Sequence, residues 1–283
     1  MSFPSVPVGL AARFNPAGAG DRAVARGPLG HQRGRSTCAL SRRRARRHDC
    51  PPAPVRAKEN GTRALGGHVT RVKICCIGSL GEAQAAARAG ADAIGLVAAM
   101  PSGPGPIPEP LIADIIAATP PTVMTVLLSA ETNSASLLDQ VKRMQPKAIQ
   151  LVDPAAAAAV PDLRAAAPTL RIIEVLHVTG PESLVDAERS QADMLLLDSG
   201  APDAAVPELG GTGRVHDWSV SAEIVRRADR PVWLAGGLTP DNVTDALRTV
   251  RPYGVDICSG LRPAGALDGQ KLASFMQAVR GRR

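Results

Sequence analysis

From residue 71 onward one pattern repeats eight times: a short apolar run rich in β-branched residues, a polar or Gly/Pro turn, then a stretch with helical spacing. The apolar runs fall near 72–77, 93–99, 122–128, 148–152, 171–178, 193–199, 231–237 and 254–260. The helix-like stretches fall near 81–90, 108–118, 134–144, 154–167, 181–190, 217–228, 240–250 and 269–280. Near-continuous apolar runs are what strands buried on both faces look like, so the sheet should be parallel and covered by helices. Eight such units in about 210 residues suit one closed (β/α)8 TIM barrel. An open doubly wound sheet is the alternative, and the lack of a GxGxxG turn after the first run counts against it. Pro154, Pro181 and Pro240 suit first helical turns, Asp153 and Thr239 are candidate caps, and Arg88-Ala89-Gly90 supplies a basic last turn with a glycine stop.

The composition narrows the class further. Of 283 residues 45% are hydrophobic but only 2% aromatic, so the core must be built from Ala, Val, Leu and Ile. No apolar run approaches the ~18 residues of a membrane-spanning helix. The five cysteines, at 38, 50, 75, 76 and 258, form no regular framework. That argues against a disulfide-stapled secreted protein and for a reducing compartment, the cytoplasm.

The formal charge of +7 is unevenly placed. Residues 1–70 carry twelve Arg and one Lys against Asp21, Asp49 and Glu59, whereas residues 71–283 are mildly acidic. The basic character therefore belongs to an extension, and the barrel is expected to bind neither nucleic acid nor membrane. Residues 1–70, rich in Arg, Gly and Pro and without a period of 2 or 3.6, are expected to be disordered, and residues 71–283 to form the barrel domain. An organellar transit peptide, a basic arm and an incidental extension all fit that composition.

In a barrel of this kind the chemistry lies at the C-terminal ends of the strands. The first run reads V-K-I-C-C-I (72–77), and strand alternation puts Lys73 and Cys75 on one face. A lysine and a cysteine sharing an apolar interior suit chemistry better than packing, although two ordinary buried cysteines remain the plain reading. The sixth run closes on Asp198, a candidate acid or merely a turn cap, and enters the long loop 200–216 with Gly210-Gly211-Thr212-Gly213. The seventh run ends at Gly236-Gly237 with Asn242 opening the next helix. The eighth ends Asp256-Ile257-Cys258-Ser259-Gly260. Glycine amides after runs seven and eight are a common way for a barrel to hold phosphate, while each pair alone is also an ordinary turn.

Taken together the chain resembles the phosphoribosylanthranilate isomerase family of tryptophan biosynthesis. The matching pieces are K-I-C (73–75), G-A-D-A-I-G-L-V (90–97), L-L-L-D-S (195–199), G-G-T-G (210–213), D-W (217–218), A-G-G-L-T-P-D-N-V (235–243) and R-P-Y-G-V-D-I-C-S-G (251–260). The resemblance implies an Amadori rearrangement of a phosphoribosyl-amine, with Cys75 as general base and Asp198 as general acid. It also implies a phosphorylated small-molecule substrate, no metal and no organic cofactor. The residues expected to bind substrate or phosphate are Lys73, Gly211, Thr212, Gly213, Gly236, Gly237, Asn242, Asp256, Ser259, Gly260 and Arg262. Cys76 stands where the family has glycine and is expected to point into the strand–helix layer. His177 is expected to be a solvated loop histidine, with a second acid–base role as the alternative, and His216 to serve loop packing or helix entry.

Three departures from the family pattern bear on substrate choice. Pro104 stands where an arginine engages the anthranilate carboxylate, Val152 replaces a histidine after the fourth run, and Arg262 replaces a glutamate after the eighth. Losing the arginine removes a charge-assisted contact of about 1.5–3 kcal/mol. Arg262 is the expected replacement cation, with Arg214 a second candidate. A paralogue acting on another phosphorylated aldose-amine and a silent phosphate-binding barrel are the rival functions. Nothing in the sequence sets the oligomeric state.

Overall fold

A computed structural model of the chain describes residues 69–101, 103–200 and 215–281. Residues 1–68 lie outside that set, and so do the expected disordered extension and the Gly211, Thr212, Gly213 and Arg214 loop. Eight strands, β1 (Arg71–Ile74), β2 (Ala93–Val97), β3 (Met124–Ser129), β4 (Ala148–Leu151), β5 (Arg171–His177), β6 (Met194–Asp198), β7 (Val232–Leu234) and β8 (Gly254–Ile257), alternate with eight helices. The helices are α1 (Leu80–Arg88), α2 (Glu109–Ala118), α3 (Ser134–Met144), α4 (Val160–Ala166), α5 (Ser183–Arg189), α6 (Trp218–Arg227), α7 (Val243–Val250) and α8 (Gly269–Arg280). The strands pair in parallel in chain order, and β1 pairs with β8 to close the barrel.

Local chemistry sets most boundaries. Ser79, Asn133, Asp217 and Asp268 each accept amides of the first turn of α1, α3, α6 and α8, as N-caps do. The fourth helical unit divides into a 3-10 turn, Pro154–Ala159, followed by α4. Pro161 lacks the N–H that a continuous helix needs and its ring crowds the turn before it. Asp153 caps the 3-10 turn as expected. The seventh helix starts at Val243 and not at Pro240. The amide of Thr239 donates to Asn242 Oδ1 at 2.8 Å, so residues 239–242 make a closed turn instead of a first helical turn.

Two apolar layers result. Val72, Ile74, Ile94, Leu96, Leu127, Ile149, Ile172, Leu195 and Leu197 face the helices. Ala93, Val97, Val126, Leu128, Ala148, Ile173, Val175, Leu196 and Trp233 fill the barrel interior. Trp233 is the bulkiest interior side chain, and it fits because Gly254 on β8 leaves room: an added Cβ there would lie 2.5 Å from the indole. At the N-terminal face Asp92 accepts from Arg71 at 2.7 Å, Arg280 at 2.7 Å and the Val72 amide at 2.9 Å. This clasp joins the start of β1, the turn before β2 and the end of α8, leaving the opposite rim for chemistry.

Candidate active site

Strand alternation turns Lys73 inward, and the β1–β8 register sets it opposite Asp256. Lys73 is fully buried. Its Nζ donates to Asp256 Oδ2 at 2.7 Å, to Gln150 Oε1 at 3.0 Å and to Cys75 Sγ at 3.4 Å. Burial works to lower the lysine pKa, but Asp256 and Cys75 outweigh it and hold the ammonium above its usual value. A cation with three acceptors, in an interior otherwise apolar, is compensated in the way a buried charge requires.

Cys75 lies just beyond β1, buried at 5% exposure. Its thiol is pulled below the ordinary cysteine range, first by a hydrogen bond from Cys76 and then by Lys73, against burial and Asp256. A lowered thiol pKa raises the thiolate fraction at neutral pH, which a general base needs. Gly95 on β2 backs this thiol: an added Cβ would lie 2.6 Å from Cys75 Sγ.

Asp198 closes β6 on the inward face, partly exposed. Burial raises its carboxyl pKa above the usual value, opposed by the Ser199 amide at 2.7 Å and by His177. A carboxyl whose pKa is pushed upward favours its protonated form more than a free aspartate does, which is the direction an acid needs. Lys73 and Asp256 exert charge on both Cys75 and Asp198, so acid and base candidates border the same interior space.

The remaining expected residues divide into two groups. Gly236 and Gly237 follow β7 with φ of +82° and +61°, a region that favours glycine. A Cβ on Gly236 would press on Asp198 Oδ1 at 3.2 Å. Gly260 packs against the Leu238 carbonyl so closely that an added Cβ would overlap it. The loops after β7 and β8, with Ser259 in the latter, therefore lie together. Asn242 turns its side chain inward on this loop, donating to the Gly237 carbonyl at 2.9 Å while accepting from Thr239. That assigns it to holding the loop rather than to a free donor.

Three expectations are corrected, the first two at Cys76 and Arg262. Cys76 does not enter the strand–helix layer. Its φ of +59° breaks the alternation after Ile74, and its side chain packs with the interior group, its Sγ 2.6 Å from Cys258 Sγ and 3.6 Å from the Pro104 carbonyl. Arg262 is not a spare cation either. Its guanidinium makes a two-pronged pair with Glu82 at 2.8 and 3.1 Å and also donates to the Cys75 carbonyl at 3.4 Å. The side chain is only 7% exposed. It clamps the loop after β8 to α1, a role that leaves no outward-facing fork for a substrate carboxylate.

Sequence reasoning missed one contributor, Gln150, and gave another, His177, the wrong leading role. Gln150 occupies an inward position of β4 and accepts from Lys73, a part that a polar residue at that register could have signalled. His177 pairs in register with Asp198, with its Nε2 3.3 Å from the Val152 carbonyl and its Nδ1 buried without a partner among the described residues. It belongs to the inner rim and is not a solvated loop residue. His216 reaches Ser221 Oγ at 2.6 Å, anchoring the entry to α6. Among the described residues no group of three or more His, Cys, Asp or Glu side chains is placed to hold a metal ion, and no helix is long and apolar enough to cross a membrane.

Fold and rim together define a (β/α)8 enzyme built for acid–base chemistry at the C-terminal ends of its strands. The chain belongs to the phosphoribosylanthranilate isomerase family: the family described as N-(5'phosphoribosyl)anthranilate (PRA) isomerase matches residues 72–278. N-(5'-phosphoribosyl)anthranilate isomerase 2 of Methanosarcina mazei is 37% identical over 215 residues, covering 74% of this chain and 94% of that protein. The isomerase of Haloferax volcanii is 35% identical over 217 residues, covering 76% and 95%. Among solved structures, phosphoribosyl anthranilate isomerase from Thermus thermophilus superposes with a TM-score of 0.64 at 28% identity, over 76% of this chain and all of that one. Another, at a TM-score of 0.60 and 28% identity over 75% and 99% of the two chains, is a complex with reduced 1-(o-carboxyphenylamino)-1-deoxyribulose 5-phosphate.

Proposed function

We propose that this chain is a phosphoribosylanthranilate isomerase, converting N-(5-phosphoribosyl)anthranilate to its 1-deoxyribulose phosphate product in tryptophan biosynthesis. The observation that carries the reading is the rim pair: a thiol with lowered pKa and a carboxyl with raised pKa, both facing the charges of Lys73 and Asp256. Asp198 gives its proton to the ribose ring oxygen as the C1–O bond breaks, leaving an iminium at C1. The Cys75 thiolate then removes the C2 proton, and the C2–H electron pair neutralises the iminium to give an enolamine. That species tautomerises to the 2-ketone. Each proton transfer of this kind contributes typically ~10²–10⁴-fold.

The substrate phosphate is held by backbone amides of the paired loops at Gly236-Gly237 and Ser259-Gly260, together with the loop carrying Gly211, Thr212 and Gly213. Positive-φ glycines allow the close backbone approach that an anion needs, and the side-chain bonds of Asn242 support that geometry. Residues from 69 onward are the catalytic unit, and the reduced state of Cys75, Cys76 and Cys258 suits the cytoplasm.

A fluorescence assay with phosphoribosylanthranilate, on the full chain and on a version starting at Val69, tests both statements. Turnover abolished by Cys75→Ala and by Asp198→Asn, and equal in the two lengths, is the expected result. A second reading, a paralogue for another phosphorylated aldose-amine, is favoured by one observation: residues 98–107 after β2 contain no cation, and Arg262 is committed to Glu82. Failure to rescue a tryptophan auxotroph lacking this isomerase, with turnover of a substrate that has no carboxylate, would establish that alternative.

A further inference from the structure

Three thiols meet at one point of the rim. Cys258 Sγ lies 2.6 Å from Cys76 Sγ, about half an ångström beyond the S–S bond length of about 2.05 Å. The two come from neighbouring strand exits, since β1 and β8 are hydrogen-bonded along their length. Cys76 reaches this position only by adopting φ +59°, a conformation that side chains other than Asn and Asp seldom take. The loop after β2 covers it from the other side: an added Cβ on Gly105 would lie 2.7 Å from Cys76 Cβ. Cys258 is the more open of the pair, partly exposed at the barrel mouth. The chemistry described above uses neither sulfur as acid or base.

We infer that Cys76 and Cys258 form a redox-modifiable dithiol, which hydrogen peroxide closes to an intramolecular disulfide that switches off the neighbouring Cys75. In the first step the Cys258 thiolate attacks a peroxide oxygen, the O–O bond breaks, and the departing hydroxide takes a proton and leaves as water. In the second, Cys76 sulfur attacks the resulting sulfenic sulfur and expels the hydroxyl as a second water. Two thiols are oxidised and one peroxide is reduced. A dithiol reductant reverses the bond by exchange.

The effect on Cys75 rests on the proposed role of that residue as base. Cys76 is the foremost influence holding the Cys75 thiol down, and a disulfide takes away its proton and fixes its sulfur against Cys258. The bond also ties the exit of β1 to the residue just before Ser259-Gly260, where the phosphate is held. Oxidation should therefore lower turnover at neutral pH about tenfold or more, with part of the loss recovered at higher pH as Cys75 ionises.

The test uses the full-length chain carrying Cys38→Ser and Cys50→Ser, so that the rim thiols alone respond. After brief treatment with stoichiometric hydrogen peroxide, free thiols are alkylated and the unreduced protein is digested and weighed. The expected result is a Cys76–Cys258 cross-linked peptide, turnover lost in step with it, and both reversed by dithiothreitol. Adding Cys258→Ser should give no cross-link and no dithiothreitol-reversible loss. Full alkylation of both cysteines after peroxide, or a bridge to Cys75 instead, would overturn the dithiol. A complete Cys76–Cys258 bridge with unchanged turnover would overturn the switch. Because the mass readout needs no substrate, a reduced protein without isomerase activity would count against the proposed function and leave the cross-link standing.

Discussion

Replacing Lys73 by methionine removes the cation at the centre of the barrel while keeping the length of its stem. The consequence follows from what remains. Asp256 loses the ammonium at 2.7 Å that compensates its burial, and its Oδ1 already has no partner among the described residues. Gln150 loses its donor as well. Removing one member of a buried ion pair costs about 3–5 kcal/mol because the other charge is stranded. With a urea m-value of about 3 kcal/mol/M, a loss of ~4 kcal/mol lowers the unfolding midpoint by a little over ~1 M. The companion variant Lys73→Met/Asp256→Leu replaces the pair by apolar groups of similar volume and should recover most of that loss. Equilibrium urea unfolding of the three proteins, followed by far-UV circular dichroism, provides the comparison. A single variant that loses less than about 1 kcal/mol, or a double variant no more stable than the single, would refute the argument that Lys73 is there to compensate Asp256.

Other perturbations separate packing from chemistry. Gly95→Ala inserts a Cβ 2.6 Å from Cys75 Sγ, so turnover should fall at least about tenfold with little change in KM, measured by steady-state kinetics. Arg262→Ala leaves Glu82 only the Gly78 and Leu267 amides, with an expected cost of about 1–2 kcal/mol in thermal or urea unfolding and less than about a threefold rise in KM; a large KM rise at unchanged stability would return Arg262 to the substrate carboxylate. The pKa of His216 is lowered by burial from 6.5 to about 4, so the folded state keeps the ring neutral where the unfolded chain binds a proton. Its contribution is present above pH 6.5 and is lost as pH falls toward about 4. Allowing for partial exposure, this is worth ~2 kcal/mol, and His216→Gln should flatten stability over that window.

Most of the architecture was legible because parallel strands buried on both faces leave an unambiguous apolar signature. The third and eighth helices begin and end where the periodicity put them, and the closed order of strands follows from eight repeats. Boundaries failed where backbone geometry overrides side-chain pattern. The seventh run looked like seven strand residues, yet β7 ends at Leu234 because Gly236 and Gly237 turn to positive φ. The same cause misplaced Cys76: alternation forecasts side-chain direction only while the backbone stays extended, and φ +59° ends it. Arg262 was misjudged for a different reason. Its partner Glu82 is 180 residues away in sequence, and long-range charge pairing leaves no local mark. Lys73, Cys75 and Asp198 stood out as candidates because a charge or thiol closing an apolar strand is out of place unless chemistry or a partner explains it.

The central claim is that one thiol, its pKa drawn down chiefly by Cys76, and one carboxyl, its pKa pushed up by burial, carry the isomerisation. The most direct measurement is kcat/KM for phosphoribosylanthranilate in the unaltered chain, in Cys75→Ala and in Asp198→Asn, with folding of each verified by unfolding curves. Loss of at least about 10²-fold in each variant at unchanged stability is the expected outcome. Turnover within about tenfold of the unaltered chain in either variant would contradict it.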